Sequence, residues 1–96
     1  MDGADMSPIA MFLKIDGEHV VEGLRQAQSM LDGASSEAVL DFASVLRVQP
    51  KDLAAMEELV KVAEERGVKI ELRGVNVGIY KALKLAELAS RFGFLA

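Results

Sequence analysis

The spacing of apolar residues changes several times along this chain, and this alternation constrains the fold more than any other feature. Short runs in which apolar residues are continuous or alternate predict four strands, at 9–15, 38–42, 68–72 and 92–95. Between them, apolar residues recur every three or four positions and predict three helices, at about 18–32, 50–66 and 77–91. The order β-α-β-α-β-α-β favours an α/β domain with a parallel or mixed sheet and right-handed crossovers.

The boundaries of the predicted helices carry recognisable signals. Gly33 and Gly67 follow the first and second helices, and glycine commonly ends a helix. Pro50 suits the first turn of the second helix, where its missing N–H costs nothing, and Asn76 is a candidate N-cap for the third. The helical spacing predicts three buried faces: Val20, Leu24, Ala27 and Leu31; Leu53, Met56, Leu59 or Val60, and Ala63; Ile79, Leu83, Ala86 and Leu88.

The composition excludes several kinds of site. The chain has no cysteine and a single histidine, which excludes disulfides, thiolate ligands and metal sites built from several histidines. Its 11 Lys and Arg residues are spread among 15 Asp and Glu residues, so the formal net charge is -4. Nucleic-acid binding normally requires a concentrated positive surface, which this sequence lacks. We therefore expect no metal, no cofactor and no nucleic-acid partner.

The length suits one domain, which we place at 9–96 after a flexible N-terminus at 1–8. The first residues are acidic and small, unlike a secretory signal, and no apolar run is long enough to cross a bilayer. We expect a soluble, cytoplasmic protein. We do not expect an enzyme, because the sequence offers no evident cluster of catalytic side chains.

Several segments share their order and spacing with a known family. They are the strand and acid-bearing turn at 39–45, the leucine that begins the second helix (Leu53), the glycine-then-strand segment at 66–72, and Val75-Asn76-Val77 followed by Leu83, Leu85 and Leu88. Together they resemble the STAS domain, named for sulfate transporters and anti-sigma-factor antagonists. The resemblance covers about 11–95. It implies a bacterial protein with a STAS-like α/β fold, in which a mixed sheet of four to five strands has helices packed mainly on one face.

The resemblance also implies a docking loop ahead of the second helix. In the family, a serine in this loop is phosphorylated, and the unphosphorylated domain binds an anti-sigma factor with a histidine-kinase-like ATPase fold. Here the positions before Leu53 read Gln49-Pro50-Lys51-Asp52, with no hydroxyl group. Our hypothesis is a loop that has lost phosphorylation but still docks a partner. The candidate partner-binding residues are Asp41, Ser44, Val48, Gln49, Pro50, Lys51 and Asp52.

Several of these residues have an alternative, structural interpretation. Asp52 fits helix capping or first-turn charge matching, a permanent stand-in for a phosphorylated residue, or a partner contact. Asp41 fits a hydrogen bond to its own turn as well as a functional role. Ser44 stays open as a modification site. His19 fits a pH-sensitive contact or a solvated polar group at the start of a helix.

More than one function is compatible with this resemblance. The first is a regulatory protein-binding module of the anti-sigma-antagonist kind. The alternatives are an accessory subunit of an ABC-type lipid transport system, with a permease or ATPase as its partner, and a STAS protein of chemotaxis or signalling. The apolar run at 92–96 would be a self-association patch if it were exposed, so a homodimer also stays open.

Overall fold

A computed structural model describes residues 11–33 and 36–95 of the chain. The predictions for 1–8 and for the first two residues of the first strand, Ile9 and Ala10, lie outside the described residues. The elements are β1 (Met11–Lys14), α1 (Val20–Met30), β2 (Glu37–Asp41), α2 (Pro50–Glu65), β3 (Lys69–Arg73), α3 (Val77–Leu85) and β4 (Gly93–Leu95). Short 3-10 helices occupy Leu31–Gly33 and Ala89–Arg91. Within the described ranges, none of the helices has the length and apolarity needed to span a membrane.

The four strands form one sheet in the order β1-β2-β3-β4, so the predicted α/β class is confirmed. All three pairs of neighbouring strands are parallel, and the described part of the sheet is therefore parallel rather than mixed. Each connection moves one strand further in the same direction, and right-handed crossovers of this kind place their helices on one face of the sheet. Burial agrees, because Leu40 and Leu72 are buried while Lys14 and Arg73 on the opposite face are not.

The core lies between this face of the sheet and the three helices. The strands contribute Met11, Ala38, Leu40, Ile70 and Leu72, and the helices contribute Val20, Leu24, Ala27, Met56, Leu59, Val60, Ala63, Ile79 and Leu83. Most of the predicted helical faces are therefore confirmed. Leu53 is only half-buried, and Ala86, which was expected to be buried, is exposed.

The third helix is shorter than predicted, because it ends at Leu85 and not near Arg91. Glu87 adopts a left-handed backbone conformation, with a φ of 61°. The N–H of Leu88 then donates to the carbonyl of Leu83 at 2.8 Å, and the N–H of Glu87 to that of Lys84 at 3.0 Å. This pair of bonds is a Schellman motif, which stops the helix.

Helix α2 ends in the same way, but with glycine at the left-handed position. Gly67 has a φ of 71°, and the N–H of Val68 donates to the carbonyl of Ala63 at 2.9 Å. Glycine adopts this conformation without strain, so the end of α2 was predictable. Glutamate at position 87 gives no such signal, and for this reason the prediction extended α3 too far.

Candidate protein-docking edge

The carboxyl ends of the four parallel strands lie along one edge of the sheet. Three loops follow these ends: 15–19 after β1, 42–49 after β2, and 74–76 after β3. We call these loops, together with the first turn of α2, the carboxyl edge. In open α/β sheets this is where ligands and partners are usually bound.

The loop at 42–49 is held on one side by the loop after β1. The hydroxyl of Ser44 donates to the carbonyl oxygen of Ile15 at 2.9 Å, across 29 positions of sequence. A Cβ on Gly17 would lie 2.1 Å from the carbonyl oxygen of Ser44, which no side chain could tolerate. The two loops therefore pack so closely that glycine is required at position 17.

The loop after β3 holds the loop at 42–49 on its other side. The side-chain amide of Asn76 donates to the carbonyl oxygen of Leu46 at 2.9 Å, and its Oδ1 accepts from the N–H of Ile79 at 2.8 Å. Asn76 is thus the predicted N-cap of α3 and, in addition, a brace for the neighbouring loop. Gly74 packs against the backbone of Ala43, where an added Cβ would come within 3.0 Å.

The start of the same loop is fixed by its own contacts. Asp41 is half-buried, and its Oδ1 accepts from the N–H of Ala43 at 2.9 Å, which is the structural interpretation of this residue. The side chains of Phe42 and Val45 are buried in the core. Val48 is half-buried and packs against the core, so it anchors the end of the loop to the core. The loop is therefore a preorganised surface rather than a free connection.

Gln49, Pro50 and Asp52 form the N-terminus of α2. The N–H of Gln49 donates to Oδ2 of Asp52 at 2.8 Å, and the Gln49 side chain accepts from the N–H of Asp52. This reciprocal pair is a capping box, and Pro50 occupies the first helical turn as predicted. Asp52 is only 5% exposed. Its carboxylate is thus a helix cap, the first of the three interpretations above, and its burial leaves it little surface to offer a partner.

The exposed centre of the edge is a residue that was missing from the predicted site. Leu46 is 81% exposed at the tip of the braced loop. It is flanked by Arg47 and Lys51, which are also exposed. In the sequence, Leu46 and Arg47 read as a continuation of the apolar strand. One sequence signal could have identified Leu46, namely a large apolar residue in the connection between a buried strand and a helix that begins with proline.

A second polar feature of the edge is the pair formed by His19 and Asp16. The Nδ1 atom of His19 lies 3.2 Å from Oδ2 of Asp16, and both side chains are exposed. This hydrogen bond, with the charge of Glu22, raises the pKa of His19. The pKa of Asp16 is lowered, first by the N–H of Glu18 that donates to its Oδ1 at 2.9 Å and then by His19. His19 is thus a solvated group at the start of α1, and its hydrogen bond with Asp16 raises its pKa.

An open groove leads away from the carboxyl edge between α1 and α2. Its walls carry Val21 and Arg25 from α1 and Ala55 and Val62 from α2, while Leu46 stands at its entrance. An ion pair between Asp32 and Arg66 spans its far end. In the described part of the chain, no three His, Asp or Glu side chains are grouped so that they could hold a metal ion. The groove and the edge together offer a continuous, mixed apolar and charged surface.

Comparison with known proteins supports the fold. No protein-family model matches the sequence, and no curated protein is significantly similar to it. Among solved structures, the chain is similar to the crystal structure of a sulfate transporter family protein from Wolinella succinogenes, with a TM-score of 0.73 and 19% sequence identity. The match covers 97% of this chain and 84% of that one. At this identity the likeness shows a shared fold, and it confirms the expected STAS-like architecture.

Proposed function

We propose that this chain is a STAS-type module that binds a regulatory protein partner through its carboxyl edge, in the manner of anti-sigma-factor antagonists. The observation that supports this most directly is the exposed Leu46 on a loop braced from both sides. A single exposed leucine is common on protein surfaces. Leu46 differs from the other exposed apolar residues by its position at the tip of a loop held from both sides, next to the exposed cations Arg47 and Lys51. The partner that the resemblance suggests is an anti-sigma factor with a histidine-kinase-like ATPase fold.

The physical case for docking rests on preorganisation. A partner that binds a loose loop must first order it, which costs conformational entropy for each immobilised residue. Here Ser44 and Asn76 have already fixed the loop. Burying one leucine side chain contributes about 1.5–3 kcal/mol. Protein interfaces commonly have an apolar centre surrounded by a polar rim. Arg47 and Lys51 supply the cationic rim.

The proposed interaction does not depend on phosphorylation of the loop. Residues 48–53 contain no serine or threonine. The nearest hydroxyl, that of Ser44, donates to the carbonyl of Ile15, and a phosphate there would replace this bond with repulsion between two oxygen acceptors. The form that binds in this proposal is therefore the unphosphorylated one, and Ser44 stays open as a site where a phosphate would oppose binding. No catalytic step is part of this proposal.

A second candidate is an accessory subunit of an ABC-type transport system. The solved structure to which the fold is similar is a sulfate transporter family protein, which supports an association with transport. The ABC type and the lipid cargo come from the family resemblance alone. In this case the same edge would contact an ATPase or a permease. The two candidates differ in the identity of the partner and not in the surface that binds it.

Affinity purification from the native organism, followed by mass spectrometry, tests both candidates. We expect the wild-type chain to recover an ATPase of the kinase-like fold for the first candidate, or a transport ATPase and permease for the second. We expect Leu46→Glu to lose the partner, because a charge would be buried at the centre of the interface.

Leu85→Glu is the matched control. Leu85 is 87% exposed but lies at the opposite end of α3 from the carboxyl edge, so this variant should keep the partner. Equal recovery by wild type and Leu46→Glu would contradict the proposed docking surface. The apparent Kd of the recovered partner, measured for the three proteins by calorimetry, should rise more than tenfold for Leu46→Glu alone, which corresponds to about 1.4 kcal/mol.

A further inference from the structure

Strand β4 has no neighbour on its outer side among the described residues, because it is the last strand of the sheet. Unpaired edges invite pairing with another chain, and proteins usually protect them with charged residues, proline, a bulge or a very short strand. Strand β4 has only the last of these protections, since it is three residues long. Gly93, Phe94 and Leu95 include neither a charge nor a proline. Phe94 and Leu95 are 37% and 39% exposed.

The apolar character continues from β4 onto the neighbouring helix. The ring of Tyr80 packs edge-to-face on that of Phe94, with 5.1 Å between the centroids. Val77, one turn earlier, is 70% exposed. A shallow notch lies between these residues and is completed by Val75 and Leu95. We call Val75, Val77, Tyr80, Phe94 and Leu95 the β4–α3 surface.

We infer that the β4–α3 surface is a homodimer interface, in which β4 pairs antiparallel with the same strand of a second copy. This pairing generates a two-fold axis perpendicular to the sheet. Such an axis keeps the helices of both copies on the same face, so α3 meets α3 of the second copy while the strands pair. The β4–α3 surface of one copy then contacts the same surface of the other copy, as an isologous interface requires.

The shape of the surface favours a second copy over an extended peptide. A peptide added as a strand would cover β4, which is three residues long, but would leave Val77 and Tyr80 in water. Because the two-fold axis is perpendicular to the sheet, β4 of the second copy lies in the plane of the sheet and its α3 lies at the same distance above the sheet as α3 of the first copy. A second copy therefore buries both parts of the surface at once.

The size of the surface indicates a weak dimer. Stable interfaces commonly bury about 800 Å² on each partner, whereas the whole chain exposes 5847 Å². The β4–α3 surface has five residues, whereas each side of a stable interface usually contributes about 20–30, so it is in the size range of transient interfaces. The dimer should therefore form and dissociate with concentration. This interface shares only Val75 with the carboxyl edge and does not include Leu46, so the variants that test the two proposals change different residues and either proposal can fail alone.

Sedimentation velocity of the full chain, from about 1 µM to about 1 mM, tests the inference over the range of weak affinities. We expect the wild type to shift from monomer to dimer. Val77→Glu should raise the dimer Kd about tenfold or more, since it brings two like charges into one interface. Glutamate in the first turn of a helix is favourable, so this variant should keep its fold. Phe12→Glu, on the opposite edge strand β1, is the control and should dimerise as the wild type does.

Cross-linking tests the strand register directly. The chain has no cysteine, so Phe94→Cys introduces a single thiol. Antiparallel pairing centred on this position brings the two Cβ atoms to about 5 Å, close enough for a disulfide after small adjustments. We expect an oxidised dimer for Phe94→Cys and none for Phe12→Cys. A wild type that stays monomeric throughout, or a dimer that only the Phe12 variants disturb or cross-link, would overturn the inference.

Discussion

At the scale of single residues, Asn76 shows how one side chain can serve two elements. Its oxygen caps α3, and its amide nitrogen holds the carbonyl of Leu46. The cap was predictable from the residue type and its position before a helix. The brace was not, because it joins positions 30 apart and depends on how two loops meet in the folded chain.

Asn76→Asp and Asn76→Ala separate these two roles. Aspartate is also a good N-cap but cannot donate to Leu46, so we expect a loss of about 1 kcal/mol in the free energy of unfolding. Alanine removes both interactions and should cost about 2 kcal/mol. Urea denaturation measures both values. Amide hydrogen exchange in 43–48 should become faster in both variants; unchanged exchange would contradict the bracing role.

His19 provides a pH-dependent signal in the same region. Because its pKa is raised in the folded chain by Asp16, the pair stabilises the fold below the unfolded pKa of histidine, and this contribution is lost as the pH rises through the folded pKa. NMR titration of the single histidine should give a pKa above its ordinary value. In Asp16→Asn the pKa should fall. The same value in both proteins would show that the hydrogen bond is not formed in solution.

At the scale of elements, the two Schellman motifs offer a direct comparison. The helix order and most buried faces followed from the spacing of apolar residues, since burial on a sheet imposes that spacing. The end of α3 did not, because Glu87 adopts a conformation that its residue type disfavours. Local sequence signals were thus sufficient wherever the residue type agreed with the backbone conformation.

Separate substitutions at Glu87 and Gly67, the left-handed positions of the two motifs, should change the free energy of unfolding in opposite directions. Glu87→Gly relieves the left-handed conformation and should stabilise the chain by about 0.5–1 kcal/mol. Gly67→Ala should destabilise it by about 1 kcal/mol, and the cause is conformational, since an added Cβ would meet nothing within 4 Å. Thermal and urea unfolding check both changes. A destabilised Glu87→Gly would indicate that the glutamate side chain has a role of its own.

At the scale of the whole molecule, the chain carries two proposed binding surfaces, which share only Val75. The parallel sheet directs three loops to the carboxyl edge, and its last strand leaves the β4–α3 surface open at the side. The resemblance identified the loop ahead of α2 as a candidate docking loop, and its docking role stays a prediction. The exposed residue of this loop was not predictable, because sequence spacing does not distinguish Leu46 at a loop tip from Val45 in the core. That distinction depends on loops separated widely in sequence.

The order of the strands has a further consequence for how the chain folds as it is synthesised. Each strand pairs with the one made before it, as Met11 with Ala38, Ala38 with Ile70, and Leu72 with Phe94. Among the strands that the structure describes, none has to insert between two that are already paired. A nascent chain leaving the ribosome can therefore add these four strands one at a time, each strand after β1 with the helix that precedes it, and β4 is the last of the four to pair.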